Sequence, residues 1–301
     1  MGKLPTMRSD KSEILPYNLK NYFVFIGTER LSDHPNRCMF NHWHDDLEIV
    51  IPIQGNMVYN INGDLIRLEP GKGVFVNSNQ IHYGFSPDDC VFIYALWHPM
   101  LLCATNEIES EYVNPIVKNS SIPYLKLNVQ CDWHHSLMDD VLKMHEQLSE
   151  RAAPLVLQSY IFDIWHTIFV NTTQERKRSA SVSPQLSILK DMLSFIHDGY
   201  HEKMTLNEIA DSGNISISNC NVIFKKYLKE SPIKYLLNYR LMKSTELLIS
   251  SAMPITEVAF EVGFSNPSYY IDAFKKAYGN TPNDYRKKHR KADVFEEYTD
   301  N

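Results

Sequence analysis

The first part of the chain has the hydrophobic pattern of an antiparallel β domain. Between residues 17 and 102, short runs rich in β-branched and aromatic residues alternate with Gly, Pro, Asn and Asp. The runs read YFVFIG, LEIVIPI, NMVYNIN, DLIRL, GVFV and CVFIYALW, and Asn62-Gly63-Asp64 between two of them predicts a hairpin turn. Many short strands with evenly spaced turns predict a small barrel or jelly roll over residues 17–130, after a flexible N-terminus at residues 1–16.

From Asp132 onward the apolar residues recur at helical spacing. One helix is predicted in WHHSLMDDVLKMHEQL, and a second run, LVLQSYIFDIWHTIFV, is apolar over most of its circumference. A helix that apolar is buried, so residues 131–170 are expected to cover the barrel, to pair with a second copy of the chain, or both. The polar, Ser/Thr-rich residues 171–184 predict a linker between domains.

The last third of the chain contains one helical unit twice. LNEIADSGNIS…IFKKYLKESPIKY aligns with ITEVAFEVGFS…AFKKAYGNTPNDY, and the second copy is one residue longer after its turn. In each copy a short amphipathic helix leads through a turn, containing Gly213 or Gly263, into a second helix that ends in two lysines. Ser216 and Ser265 are the expected N-caps of these second helices. Each copy is therefore predicted to be a helix-turn-helix.

A helix over about residues 232–251 joins the two copies, because Pro232 favours a helix start and Pro254 blocks continuation. Residues 185–291 are thus predicted to form an all-helical domain, followed by an acidic tail at residues 292–301.

The second helix of each copy has one apolar face and one small-polar face beside its lysines. Residues predicted to be buried are Ile217, Cys220, Phe224 and Tyr227 in the first copy, and Pro267, Tyr270, Phe274 and Ala277 in the second. The opposite face suits the major groove of DNA, where Asn and Ser read base edges, apolar side chains touch thymine methyl groups and Lys neutralises phosphate. The predicted DNA-binding residues, with Arg240 added from the central helix, are Ser216, Ser218, Asn219, Asn221, Val222, Lys225, Lys226, Arg240, Ser265, Ser268, Tyr269, Ile271, Asp272, Lys275 and Lys276.

Residues 186–291 resemble the DNA-binding domain of the AraC/XylS family of bacterial transcription regulators. The resemblance rests on the doubled unit, both Phe-Lys-Lys runs, Tyr239-Arg240-Leu241 and IxEVAFEVGFSNPSYYxxAFKKxYGNTPNDYR. The family usually has a basic residue where Asp272 stands, and this carboxylate could either accept a hydrogen bond from cytosine or weaken DNA contact. The resemblance implies activation of transcription through contact with RNA polymerase, with repression left open. The alternative is a helical bundle with solvated lysines.

A second candidate site lies within the predicted barrel. His42 and His44 alternate on one expected strand and share a face, and Glu48 and His82 could join them. Three imidazoles and a carboxylate make a plausible site for a divalent metal. The spacing resembles the cupin motif HxHx3Ex6G with a later His, which implies metal ligation by His42, His44, Glu48 and His82. Asparagines replace the Gly, Pro and Gly of that motif at Asn36, Asn77 and Asn79.

In AraC-like regulators such a barrel usually receives a small organic effector such as a sugar, often without metal, and the following helix often mediates dimerisation. The resemblance implies both here. Candidate contacts to the effector are the cluster, aromatic residues on the strands and arginines before the first His; the alternative for the aromatics is the core. The set is Arg30, Arg37, His42, Trp43, His44, Glu48, Tyr59, His82, Tyr94 and Trp97. No cofactor is required, and a divalent metal is optional.

Charge and cysteine usage refine this interpretation. The net charge of −6 argues against DNA binding if taken globally, but the excess of acidic residues lies in residues 1–183. Five scattered cysteines without a CxxC pair favour reduced thiols. The N-terminus has no apolar secretory core and no run is long enough to span a membrane, so we expect a cytoplasmic protein without a membrane partner.

The sequence therefore predicts an α+β multidomain protein. A cupin-like β-barrel (jelly roll) with following helices precedes an all-α domain in which a central helix joins two helix-turn-helix motifs. The expected function is transcriptional regulation by a homodimer that binds double-stranded DNA under control of a small-molecule effector, not catalysis. Two alternatives stay open: a metal-dependent cupin enzyme fused to a DNA-binding module, and a constitutive DNA-binding dimer with a purely structural barrel.

Overall fold

The computed structural model describes residues 6–7, 13–14, 16–19, 22–172 and 184–296. The chain forms two compact units, Met1–Ser183 and Pro184–Asn301. The units divide within the segment predicted as a linker, of which residues 173–183 lie outside the described residues. The fold class expected from the sequence is confirmed, because antiparallel sheets build the first unit and helices build the second.

Two antiparallel sheets and two long helices form the first unit. The five-stranded sheet has the order β10-β7-β4-β9-β3 and the three-stranded sheet the order β6-β5-β8. The strands are β1 Thr6–Met7, β2 Glu13–Ile14, β3 Val24–Arg30, β4 Leu47–Gln54, β5 Met57–Ile61, β6 Asp64–Leu68, β7 Lys72–Val76, β8 His82–Phe85, β9 Val91–Trp97 and β10 Tyr124–Asn128. The helices are α1 Asp132–Gln147 and α2 Ala153–Asn171, with shorter helical turns at Leu31–Asp33, Pro35–Arg37, Pro99–Leu102, Asn106–Ile108, Glu109–Val113 and Asn114–Val117.

Side chains of the five-stranded sheet alternate between two hydrophobic layers, as the pleat requires. In β4, Leu47, Ile49 and Ile51 pack in one layer with the inner faces of α1 and α2. Val50 lies in the other layer, between the two sheets, together with Tyr59 of β5. Because β4 is buried on both sides, it reads as a continuous apolar run in the sequence.

The sequence pattern predicts six of these ten strands and misses β1, β2, β8 and β10. β8 has only four residues, one of them Gly84, and β10 follows a helical stretch in which no strand was expected. The strand expected to carry His42 and His44 begins only at Leu47, and His42 instead pairs with His82 through an isolated bridge.

The predicted hairpin turn is confirmed, since Asn62 and Gly63 have φ of 51° and 94°, the positive values of a type I′ turn. The predicted flexible N-terminus contains the pairing of β1 with β2. The rest of residues 1–16, apart from Pro16, lies outside the described residues.

Both predicted helices after the barrel are present, and one side of each is buried. Leu137 and Val141 of α1 belong to the same buried layer as Leu157 and Ile161 of α2, next to the five-stranded sheet. The other side of α2 keeps apolar side chains in solvent, at Leu155, Phe162 and Val170. Every helix within the described residues is too short or too polar to span a membrane.

The second unit consists of seven helices among its described residues. Two helix-turn-helix pairs, α4–α5 and α7–α8, flank the long helix α6, and all four of these helices contact it. The helices are α3 Pro184–Gly199, α4 Leu206–Ser212, α5 Ile217–Leu228, α6 Pro232–Ser250, α7 Ile255–Glu261, α8 Pro267–Tyr278 and α9 Pro282–Glu296. α9 continues through residues 292–296 of the predicted acidic tail, and residues 297–301 lie outside the described residues.

Side-chain caps set where the helices begin. The hydroxyl of Ser216 accepts from the backbone N–H of Asn219 and caps α5 as predicted. The expected cap by Ser265 is wrong, because Asn266 accepts from Ser268 and Tyr269 at the start of α8. The extra residue in the second turn moves the helix start by one position, to a proline that favours it.

Two arginines bind main-chain carbonyls that the helices leave unpaired. Arg240 of α6 donates to the carbonyls of Tyr200 and Glu202, each at 2.7 Å. Arg286 of α9 donates to the carbonyls of Leu248 and Met253, at 3.1 and 2.6 Å. Arg240 thereby joins α6 to the connection that precedes the first helix-turn-helix. Arg286 likewise joins α9 to the connection that precedes the second.

Glu230, in the connection between α5 and α6, should make the second unit less stable as pH rises. Burial raises its pKa to about 7, despite Lys234 and a hydrogen bond from Asn238 that lower it. The folded state then holds a proton that the unfolded state releases above its own pKa of 4.5. Stability is therefore full below that value and falls as pH rises through about 7, by up to about 3 kcal/mol.

Glu230→Gln tests this, because the amide keeps the shape of the protonated acid and removes the titration. Between about pH 5 and pH 8, the variant should lose up to about 3 kcal/mol less stability than the wild type, as measured by calorimetry on the full chain. Glu257→Gln, at an exposed position of α7, is the matched control and should keep the wild-type slope. An unchanged slope in Glu230→Gln would mean that this carboxyl is not buried in solution.

Candidate functional site

Three histidines and one glutamate meet between the two sheets of the first unit. His42 and His44 lie in the extended segment before β4, Glu48 is the second residue of β4, and His82 begins β8. The main chains of His42 and His82 exchange two hydrogen bonds, of 3.2 and 3.0 Å, which fix the segment against β8. All four side chains are buried, with exposed fractions between 1% and 8%.

Each imidazole of this cluster has its Nδ1 atom on a main-chain carbonyl. His42 contacts the carbonyl of Phe40 at 2.9 Å, His44 that of Asp46 at 3.0 Å, and His82 that of Gln80 at 2.8 Å. A carbonyl only accepts, so the hydrogen bonds assign a proton to each Nδ1. The Nε2 atoms are then the ones directed at the centre of the cluster.

Glu48 contacts the histidines through one oxygen and Tyr59 through the other. Its Oε2 lies 2.8 Å from Nε2 of His82 and 3.7 Å from Nε2 of His44, and its Oε1 accepts from the hydroxyl of Tyr59 at 3.1 Å. Burial alone would raise the pKa of Glu48, but His82 and His44 hold it well below its usual range. Burial lowers the pKa of His42, as do the neighbouring His82 and His44. An ionised carboxylate therefore faces imidazoles across a gap that a proton or a cation can fill.

This donor set fits a divalent transition-metal ion. One ring nitrogen from each of His42, His44 and His82 lies within 4.8 Å of the others, and Glu48 adds a carboxylate oxygen that contacts two of these histidines. Imidazole with carboxylate suits zinc, nickel, cobalt or iron. Metal-binding histidines almost always donate their other ring N–H to a carbonyl or carboxylate, which is the arrangement seen here.

The asparagines that replace glycines in the cupin-like motif preserve its backbone. Asn36 and Asn79 have φ of 52° and 63°, in the left-handed region that glycine normally supplies and that asparagine tolerates best among other residues. The side chain of Asn77 binds the carbonyls of Ile116 and Ile122, at 2.9 Å each. The departures from the motif therefore leave the geometry of the cluster intact.

The other predicted effector contacts differ in where the structure places them relative to the cluster. Trp97 is wrongly assigned, because strand alternation turns it to the layer under α1 and α2, where it is fully buried. Tyr94 faces the interior but covers Gly27, and Trp43 is buried in the segment beside the histidines. Arg30 ends β3 and pairs with Asp89 at 2.8 Å.

Arg37, the remaining predicted contact, is exposed in a tight turn, with φ of 52°. Tyr59, one of the aromatic residues proposed for the effector, reaches the cluster through its hydrogen bond to Glu48.

The outward faces of α5 and α8 carry matching positions. Ser218, Val222 and Lys225 on α5 are exposed and correspond to Ser268, Asp272 and Lys275 on α8. The inward faces are anchored by Phe224 and Phe274, both with no exposed surface. Beside this row lie Asn219 and Lys226 on α5, and Tyr269 and Lys276 on α8.

Several residues of the predicted DNA-binding set have other partners. The side chain of Asn221 is half-buried and donates to the carbonyl of Ile217 at 2.9 Å. Lys226 donates to Gln185 at 2.7 Å, and Arg240 is bound to the carbonyls described above. These three side chains therefore stabilise the helical unit itself.

The predicted assignments of Ile217 and Ile271 to the two faces are also corrected. Ile217, expected in the core, is exposed at the first turn of α5, whereas Ile271, expected outside, packs partly against the core of the second module. Both sit near the boundary between the faces, where a small rotation of the helix decides burial.

Family models match both units. The AraC-like ligand binding domain matches residues 25–164, and a helix-turn-helix domain matches residues 209–288. The chain is 32% identical over 251 residues to the uncharacterized HTH-type transcriptional regulator YdeC of Bacillus subtilis. The aligned region covers 82% of this chain and 85% of that protein. The chain belongs to the AraC family of transcriptional regulators.

Two further proteins align with most of the length of this AraC-family regulator. The melibiose operon regulatory protein of Escherichia coli is 23% identical over 258 residues, covering 84% of this chain and 85% of that protein. A crystal structure of ToxT from Vibrio cholerae with bound unsaturated fatty acid has a TM-score of 0.48 and 13% identity, over 89% of this chain and 97% of that chain. The family and these curated relatives are transcriptional regulators, so the expectation of a regulator rather than an enzyme is confirmed.

Sequence reasoning missed the groups that position the site of this AraC-family regulator. The carbonyls of Phe40, Asp46 and Gln80 carry no sequence signal, because any residue provides a main-chain carbonyl. Asn266 as a cap could have been found from the extra residue in the second turn. Arg286, a basic residue after the Tyr of the repeat, gave no hint that it binds carbonyls.

Proposed function

We propose that this AraC-family regulator binds paired half-sites on double-stranded DNA as a homodimer, under control of an effector bound in its barrel. It would act in the cytoplasm and activate transcription through contact with RNA polymerase. The observation that carries the DNA-binding part is the matched row of exposed side chains on α5 and α8. The melibiose operon regulatory protein, a relative named for a sugar operon, supports a sugar or related metabolite as one candidate effector.

The two reading helices differ at one matched position. Where α5 presents Val222, α8 presents Asp272, and both are exposed. An apolar side chain favours contact with a thymine methyl group, whereas a carboxylate accepts from the amino group of cytosine and repels phosphate. The two modules are therefore expected to prefer different bases, with Lys225 and Lys275 neutralising backbone phosphates on either side.

The outer face of α2 supports the homodimer. Leu155 is 77% exposed and Phe162 41% exposed, and Val170 continues the row about two turns further along the helix. Exposed apolar side chains that share one side of a helix, here with Ser159 and His166 between them, favour an interaction site. A second copy offers the same face, and pairing of α2 with α2 around a two-fold axis would bury both at once.

Control by the effector requires that it bind one arrangement of the dimer better than another. Couplings of this kind are typically about 1–3 kcal/mol, or about 5- to 150-fold in affinity. A constitutive DNA-binding dimer, the alternative, would show operator affinity that no metabolite or ion changes.

Fluorescence anisotropy with DNA from upstream of the protein's own gene and its neighbours tests the proposal. We expect saturable binding that survives random competitor DNA. Lys225→Ala should weaken binding to all sequences and lower the salt slope by about one. Asp272→Asn should instead change the preference at one base pair, by about 1–3 kcal/mol.

Lys126→Ala, an exposed lysine of β10, is the matched control for Lys225→Ala because it makes the same change of charge in the other unit. It should leave DNA affinity unchanged. Equal effects of the two lysine variants would point to net charge alone, and would contradict the assignment of α5 to the groove. If random competitor DNA abolishes binding at every site tested, with each candidate effector present, that result would contradict sequence-specific recognition.

A further inference from the structure

We infer that the barrel senses a divalent transition-metal ion, held by His42, His44, Glu48 and His82. The inference rests on the proposed function, since it names the effector that controls DNA binding. Two observations carry it: three buried imidazoles converge beside the Glu48 carboxylate, which contacts two of them, and each imidazole is oriented by its own main-chain carbonyl.

The convergence distinguishes an ion from a sugar-sized effector. A sugar presents several hydroxyl groups around a ring and needs donors and acceptors spread over the same area. In this cluster the Nδ1 atoms are directed at carbonyls, and the contacts of Glu48 with His82 and His44 run through the Nε2 atoms. Ile61 and Val76, which pair with His82 and Glu48 on neighbouring strands, bring apolar side chains next to the cluster, and both have no exposed surface.

Tyr59 is a positioning residue for this ion. Its hydroxyl donates to Oε1 of Glu48 at 3.1 Å, and its ring stacks on His82 with centroids 6.0 Å apart. The hydrogen bond holds one carboxylate oxygen, which leaves Oε2 on the side of His82 and His44. Removing an outer partner of this type typically costs about 10- to 100-fold in metal affinity.

The placement of the ligands suits sensing. Two of them, His42 and His44, come from an irregular segment between β3 and β4, whereas His82 belongs to β8 of the three-stranded sheet and Glu48 to the five-stranded sheet. An ion bound to all four joins both sheets and the segment. The four side chains are buried, and a site closed by four protein ligands is typical of a structural or sensing ion, not of a catalytic one.

Metal binding can be measured on the full chain without a polyhistidine tag. After dialysis against a chelator, Zn²⁺, Ni²⁺ and Co²⁺ are titrated separately by calorimetry, and the absorption spectrum of the Co²⁺ form reports its coordination. We expect one ion per chain, a rise in the unfolding temperature on loading, and nitrogen-rich coordination of Co²⁺. The same samples are then compared for operator affinity, which should differ at least about 5-fold between the loaded and the chelated protein.

Three variants distinguish binding at this cluster from binding elsewhere on the protein. His82→Ala should abolish stoichiometric binding, and Tyr59→Phe, which keeps the ring, should weaken binding by about 10- to 100-fold. His135→Ala removes an exposed histidine of α1 and is the matched control, with wild-type metal affinity expected. If His82→Ala does not fold, Tyr59→Phe and the chelated wild type still decide the question.

Wild-type protein that takes up no ion, or a His135→Ala loss equal to that of Tyr59→Phe, would overturn the metal site. An ion bound with no change in operator affinity would overturn its role as the signal. Failure of both loaded and chelated protein to bind any DNA would overturn the proposed function instead, while the calorimetry still reports separately on the metal.

Discussion

Replacing Gly263 by alanine is expected to destabilise the helical unit by about 3–4 kcal/mol, a large share of the stability of a domain this size. Gly263 lies in the turn of the second helix-turn-helix with φ of +87°, a conformation that costs an alanine free energy even in open space. A Cβ atom there would lie 2.5 Å from the carbonyl oxygen of Tyr200 and 2.9 Å from Nε of Arg240. These two atoms are hydrogen-bonded to each other, so neither can move without breaking that contact.

Gly279→Ala is the matched control, because Gly279 also has positive φ, of +73°, but has no atom within 4 Å of the added Cβ. It should cost about 1 kcal/mol, the conformational part alone. Thermal unfolding of the full chain measures both, and Gly263→Ala should lower the transition of the helical unit by about 10 °C or more. Equal shifts in the two variants would mean that the turn does not rest on Tyr200 in solution.

Phe162→Glu is expected to convert the proposed homodimer to monomers, raising the dimer dissociation constant by about 100-fold or more. Phe162 lies between Leu155 and Val170 on the outer side of α2, so the proposed two-fold pairing, with its axis near the middle of this row, would bring both copies of its side chain together. Burying two carboxylates there would cost both their solvation and their mutual repulsion. Analytical ultracentrifugation measures the shift, and affinity for paired half-sites should fall while affinity for a single half-site stays the same.

Val129→Glu is the control for this change, because it places the same charge on an exposed apolar residue after β10, away from α2. It should remain dimeric. If Phe162→Glu also stays dimeric at micromolar concentration, α2 is not the dimer interface and its outer face has another partner.

The repeat and its helices could be predicted from the sequence because local signals agree there. Proline at Pro232 and the cap at Ser216 mark helix starts, and the Phe-Lys-Lys runs mark the ends of α5 and α8. The predictions that failed concern contacts between residues far apart in the sequence, which no local pattern records. Arg240 reads as an exposed basic residue of a helix, and only the fold brings it to the carbonyl of Tyr200, 40 residues away.

The direction of side chains on the barrel strands was harder to predict. Strands buried on both sides lack the alternation of apolar and polar residues that identifies a face. Trp97 belongs to an apolar run in which interior and exterior positions look the same, so its side could not be read from the sequence. The histidine cluster was predictable from spacing, since ligands two residues apart in an extended segment share a side. Its orientation by carbonyls, and the link to Tyr59, depend on the pairing of segments distant in the chain.

Because both modules pack on α6, the distance between their reading helices is a property of the protein and not of the DNA. A base substitution in an operator then removes one contact and weakens binding by degrees. A base pair inserted or deleted between the two DNA segments that the modules contact rotates one segment about a tenth of a turn around the duplex. One module then loses all its contacts together. Binding sites for this regulator can therefore drift in sequence over evolutionary time, but they cannot drift in length.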